Sequence, residues 1–224
     1  MAIAFDAASS WTTGSSVTSI TFALTVGVSS NRMLFVTSLS TNNDVTATYA
    51  GVSMTKILTQ VGADSRTLSM FALPAPTSGV NDIIITAEVS AAVLQGGGAS
   101  YSGVAQTTTM DSTTTSTIGT DVTTYTGTLT TVANNCWTVM GLRYVGGNAG
   151  YTAGVNTTIR NASANTGLSD SNSVKTPAGS TSQTITVSNG TGGAYLVMAS
   201  FAPVAAPTGV NTSRKNYISN MVSI

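Results

Sequence analysis

"QGGGASYSGVAQ", residues 95–106, decides how this chain is read. Three glycines run into a serine, a tyrosine, a second serine and a fourth glycine. A phosphate-cradling Walker loop needs G-x-x-x-x-G-K-[ST], and no lysine is near. A nucleophile elbow needs G-x-S-x-G, but Ser102 stands where the second glycine would follow Ser100. The chain has no histidine to activate Ser100 in any case. The stretch therefore reads as a strand. Glycines 96–98 are expected to mark a bulge or a close backbone approach at its entry, with Tyr101 or its neighbours reaching the core.

Working outward, the same texture recurs. Candidate strands are 17–26, 33–39, 45–49, 52–58, 67–73, 82–89, 98–104, 122–131, 135–144, 183–188 and 194–202. Each is short, rich in Val, Ile, Thr or aromatics, and bounded by Gly, Asn, Ser or Pro. Almost nothing reads as helix. Ala50-Gly51 splits 45–49 from 52–58 as a two-residue hairpin loop. Pro74 and Pro76 are expected in a loop before strand 82–89. Strands 33–39 and 194–202 are apolar on both faces, which makes them central in a packed sheet. Residues 146–182 are polar and read as long loops with one or two weak strands.

Two segment pairs echo each other: 25–40 with 129–144, and 79–104 with 180–204. The echo is read as the two interleaved Greek keys of a jelly roll. The expected fold is all-β, a jelly-roll β-sandwich of two packed antiparallel sheets with Greek-key connections. It spans residues 1–205. Residues 206–224 read as a C-terminal arm docked on the domain or on a neighbouring subunit.

Composition narrows the function. Of 224 residues only 7% are charged, eight basic against eight acidic, where about 25% is usual. With 42% hydrophobic residues the chain is not a disordered one. Net charge near zero favours association, so the surface reads as one covered by neighbours. An extracellular or cold-adapted protein is the plainer alternative. Nucleic acid, which requires clustered Lys and Arg, is not an expected partner. Nor is a membrane, since no apolar run reaches spanning length. The first residues lack the basic and apolar regions of a secretory signal.

Catalysis finds little support. Without histidine, Ser-His-Asp and Cys-His arrangements are impossible. Cys136, the sole cysteine, sits in a strand pattern and reads as a small buried hydrophobe. The only glutamate is Glu88, and the aspartates at 6, 44, 64, 82, 111, 121 and 170 are scattered. No carboxylate pair such as glycosidases use is evident beyond the unsupported Asp82 and Glu88. Zinc lacks ligands. Calcium would need loop oxygens such as those of 170–173 or 42–44, but Asx residues there read as turn formers. No catalytic, cofactor or metal residue is assigned. Four N-x-S/T sequons begin at Asn156, Asn161, Asn189 and Asn211 and matter only in a eukaryotic secretory route.

Five segments together resemble a known family: "NRMLFVTSLS" (31–40), "VTATYAGVSMTKI" (45–57), "LSMFALPAPTSGVNDIIITAE" (68–88), "GGGASYSGVAQTTTMD" (96–111) and "YLVMASFAPVA" (195–205). They resemble a jelly-roll module recurring in phage virion structural proteins and in bacterial surface and secreted proteins. The resemblance covers all but the last twenty or so residues, and it specifies fold better than function. It implies a non-enzymatic virion component: a capsid decoration, minor capsid or tail-surface protein. Such a protein assembles with copies of itself and other virion proteins in the host cytoplasm and is extracellular after release. The absence of a signal-like N-terminus favours that context. Arg214, Tyr217, Ile218 and Met221 in the arm are the expected assembly contacts. The alternative is a carbohydrate-binding or adhesive bacterial surface module, touching host-surface glycans through Trp11 and Tyr151.

Overall fold

A computed structural model describes residues 1–41, 44–107, 110–119, 122–147, 150–188 and 192–205. The expected arm, with Arg214, Tyr217, Ile218 and Met221, lies outside them. The described residues form eighteen strands. In the first half these are β1 (Ala4–Ala8), β2 (Thr12–Gly14), β3 (Val17–Val26), β4 (Met33–Thr41), β5 (Val45–Tyr49), β6 (Val52–Ser53), β7 (Thr55–Val61), β8 (Arg66–Pro74), β9 (Gly79–Ala91) and β10 (Leu94–Ser102). The second half holds β11 (Ser112–Ile118), β12 (Thr124–Thr130), β13 (Trp137–Val145), β14 (Tyr151–Ala153), β15 (Thr158–Ala162), β16 (Thr166–Asp170), β17 (Ser180–Val187) and β18 (Gly193–Phe201).

The fold is all-β and every pairing is antiparallel. Four sheets form where two are expected. In the first half an inner sheet runs β1-β10-β4-β8-β7, with β2 also on β10, and an outer sheet runs β3-β9-β5-β6. In the second half the inner sheet runs β11-β18-β13-β16-β15 and the outer sheet β12-β17-β14. Apart from β2 and β6, which have no counterpart among the described strands of the second half, the two halves have the same strand order. The echo in the sequence is thus a side-by-side repeat, not an interleaving within one sandwich. Segment 25–40 carries β4 as 129–144 carries β13, and 79–104 carries β9 and β10 as 180–204 carries β17 and β18.

Three hydrophobic clusters stack the sheets into four layers. One lies between outer and inner sheets of the first half, with Phe22, Ile83, Leu34, Val36 and Phe71 among its members. Another lies between the sheets of the second half around Tyr125, Ile185, Met140 and Leu196. The central cluster joins the two inner sheets, where Met33, Phe35, Leu39 and Tyr101 meet Val139, Leu168, Val197 and Phe201. Alternate residues of β4 therefore face two different cores. That is why 33–39 and 194–202 are apolar on both faces, and β4, β13 and β18 are buried almost throughout.

The contacts across the central seam come in exchanged pairs. β7 meets β18 as β15 meets β10; β8 meets β18 as β16 meets β10; β8 meets β13 as β16 meets β4; and β4 meets β13 directly. This is the pattern of a two-fold, isologous interface, here closed within one chain.

Several local expectations change. The glycine run lies inside β10, whose register with β4 is unbroken from Leu94 to Tyr101, so there is close approach without a bulge. A β-carbon at Gly97 would stand 2.7 Å from Asn161 Oδ1 and 2.8 Å from Trp11 Cε3, and one at Gly98 2.9 Å from Ile83 Cδ1. Pro74 ends β8 rather than lying in a loop. The segment 52–58 divides at Met54: β6 stays on β5, and β7 crosses to the inner sheet beside β8. The hairpin at Ala50-Gly51 is as expected, with φ of 50° and 76°, the two positive values a type I′ turn requires. The described part of 146–182 contains three strands and the start of β17, and β16 is wholly buried against β13.

Candidate functional site

Each half carries the same polar clamp. Ser100 Oγ donates to Asp6 Oδ2 at 2.7 Å, and the same oxygen accepts the Gly27 N–H at 2.8 Å. In the second half Ser200 Oγ donates to Asp111 Oδ2 at 2.8 Å, and Asp111 accepts the N–H groups of Val132 (2.9 Å) and Ala133 (2.7 Å). Ser100 and Ser200 hold equivalent places, one residue before Tyr101 and Phe201. Burial works against ionisation of Asp111, yet those donors hold its carboxyl below the ordinary range. These aspartates fasten the start of each half to the turn that follows β3 in one and β12 in the other. They are structural.

Two charged clusters cross the seam. Asp170, fully buried, accepts from Arg160 Nε at 2.7 Å and from Tyr101 OH at 2.8 Å. The Arg160 guanidinium lies 3.6 Å from the centre of the Phe5 ring, a cation–π contact. Burial raises the Asp170 carboxyl despite its partners, and burial with the Asp170 charge raises the Tyr101 phenol. Asp170 is therefore committed to the core rather than offered to a loop cation. At the other cluster Asp64 accepts from Tyr195 OH at 2.9 Å and from Arg143 Nε and Nη2 at 3.3 Å each. Arg66 Nε stands 3.9 Å away. Sequence reading passed over Arg66, Arg143 and Arg160. For Arg143 alone a signal was available, a cation inside the apolar run "CWTVMGLRY", because such a charge must find a partner.

The acid–base candidates do not converge. Asp82 and Glu88 share the exposed face of β9. Six residues of strand separate them by about 20 Å, well beyond the roughly 5–10 Å between glycosidase carboxyls. Cys136 is buried, donates to the Ala133 carbonyl at 3.2 Å, and has its thiol pushed up to about 12 by burial and by Asp111. Among the described residues no three His, Cys, Asp or Glu side chains gather as a metal site.

Trp11 and Tyr151 are each partly buried. Trp11 packs on the central cluster and Tyr151 on the cluster of the second half. Burial raises the Tyr151 phenol.

The outer sheets each turn one face to solvent. On the second-half outer sheet Thr124, Thr126, Thr128 and Thr130 face solvent, opposite Thr186, Thr184, Ser182 and Ser180. Threonine hydroxyls meet across the strands at 3.3 Å (124–186) and 3.2 Å (126–184), the cross-strand pairing that steadies such a face. The first-half outer sheet exposes Thr21, Ala23 and Thr25 beside Val80, Asp82, Ile84 and Thr86. Val80 is 71% and Ile84 37% exposed.

Comparison with family models, with characterised proteins and with solved structures gives no match.

Proposed function

We propose that this chain is a non-enzymatic virion structural protein of phage type, acting by assembly with copies of itself and other virion proteins. It is built from two jelly rolls packed back to back. In a jelly roll the first, eighth, third and sixth strands make one sheet and the second, seventh, fourth and fifth the other. Counted without β2 and the edge strand β7, the order β1-β10-β4-β8 against β3-β9-β5-β6 supports this reading, as does the second half, which has the same arrangement without a fifth strand.

The observation that carries the assembly reading is the pair of outer sheets on opposite sides of the four-layer stack. One is a hydroxyl array free of charge; the other mixes threonine with exposed Val80 and Ile84 and carries two carboxylates, Asp82 and Glu88. Covering the second-half face desolvates no ion and covering the first-half face only those two, and depletion of charge marks the cores of protein interfaces. A neighbour on each side would make the chain a two-sided spacer, with segment 206–224 supplying further contacts.

Incorporation into particles tests this. The double variant Thr126→Lys/Thr184→Lys places two cations on one outer face without touching the core. It is expected to fold like the wild type and to be lost from particles assembled with the other virion proteins. Deleting 206–224 is expected to reduce incorporation. Full occupancy by both variants would overturn the assembly reading.

A further inference from the structure

At one end of the seam lies a cavity of about 200 Å³, lined by Thr13, Arg66, Gln95, Arg143, Ser163 and Asn165 among others. It exists only because the halves pack together: Thr13 and Gln95 belong to β2 and β10, Arg143 and the 163–165 turn to the second half. Two of the chain's eight cations meet here, and among the described residues Asp64 is the one carboxylate that both approach. The cavity rim therefore keeps one positive charge in excess. Arg143 directs Nε and Nη2 to Asp64 and Nη1 to the Asn165 carbonyl at 3.5 Å. A guanidinium has five N–H donors, so further hydrogens remain for a ligand. Gln95 adds the complementary feature, a buried side-chain oxygen with no hydrogen-bond partner. A buried acceptor left unpaired is costly, and turning the Gln95 amide toward the cavity it lines lets a ligand's donor relieve it.

The site thus asks for an anionic group and a hydroxyl donor on one small molecule. At about 30 Å³ per water, the volume is that of six or seven waters, the scale of a monosaccharide. We propose that this cavity binds an acidic sugar, a hexuronate or a sialic acid. The carboxylate lies against Arg66 and Arg143, and a ring hydroxyl donates to Gln95 Oε1. The proposal goes beyond the assembly reading and stands or falls separately from it, because the cavity lies on neither outer sheet.

The test is amide chemical-shift titration of the full chain with glucuronate, N-acetylneuraminate, glucose and sulfate. One of the two acidic sugars is expected to move Thr13, Gln95, Arg143 and Asn165 and to saturate with about millimolar affinity. Glucose should move none of them. Arg66→Gln should weaken binding by about tenfold or more, as loss of a charged hydrogen bond does. Gln95→Leu, which removes the acceptor of the ring hydroxyl, should weaken it by about threefold to tenfold. Each variant is accepted only if its remaining spectrum matches the wild type, and either one suffices. No shift at about 50 mM of either acid, far above the affinity expected of such a site, would overturn the proposal. So would an equal response to glucose, sulfate binding as tight as the sugar's, or unchanged affinity in the folded variants.

Discussion

Thr37 and Gly141 are each the fifth residue of a nine-residue central strand, and they meet each other across the seam. A β-carbon on Gly141 would stand 2.7 Å from Thr37 Cγ2 and 3.1 Å from Val197 Cγ2. Equivalent places in the two halves have thus diverged into a projection and a gap. Two identical halves would present either two projections or two gaps.

Gly141→Thr is expected to destabilise by about 1–3 kcal/mol through overpacking. Combining it with Thr37→Gly, which reverses projection and gap, should recover part of the loss. Urea unfolding of the four members of the cycle measures the coupling, and strict additivity would refute the complementarity.

The two aspartate clamps should behave alike. Asp6→Ala and Asp111→Ala are each expected to cost about 1–3 kcal/mol at pH 7, since each strands buried or half-buried donors. For Asp111 the pH dependence follows from its lowered folded-state pKa. The clamp's contribution is present above the unfolded carboxyl pKa of about 3.9 and is lost as pH falls through the folded value. The penalty of Asp111→Ala should therefore shrink below about pH 4, as denaturant melts across pH 3–7 would reveal.

Asp170 has the opposite sign. Its folded-state pKa is raised by burial, so its favourable contribution is complete below the unfolded value and is lost as pH rises through the folded one. Arg160 limits that loss. Arg160→Met should cost about 3–5 kcal/mol at pH 7, where it leaves a buried carboxylate without a counter-charge. The cost should fall in acid, where Asp170 is protonated. A cost independent of pH would show that the pair does not act as a charge pair.

Cys136 should be inert in the folded protein. With its thiol pushed up to about 12, almost no thiolate exists near neutrality. A disulfide-exchange reagent at pH 8 should label it only in denaturant. Rapid labelling of native protein would contradict its burial.

The strands were largely legible because each carries a local signature: the alternation in 124–130, the turn at Ala50-Gly51, the doubly apolar run from Met33 to Leu39. β16 was hidden because "TGLSD" is short and polar, and only its pairing with β13 buries it. β11 was missed for a related reason, as "STTTSTI" has no apolar face of its own. The four-layer stack was visible only indirectly. Apolarity on both faces of β4 says that two cores exist, but not that the second is supplied by a copy of the first. Among the site residues, Arg160 and Arg143 could not be assigned to their carboxylates, which lie 10 and 79 residues away in sequence.

The uncovered state of the inner sheets has a consequence for synthesis. When the first half has left the ribosome, the central-seam side chains of Met33, Phe35, Leu39 and Tyr101 have no cover until β13 and β18 are made. A second nascent copy offers the same face and is the natural competitor, which makes exchanged, swapped pairs the characteristic misassembly. The link from Ser102 to Ser112 is short. A tether of that length holds the arriving half at about millimolar effective concentration, far above that of any other nascent chain, so closure within one chain outruns capture by another.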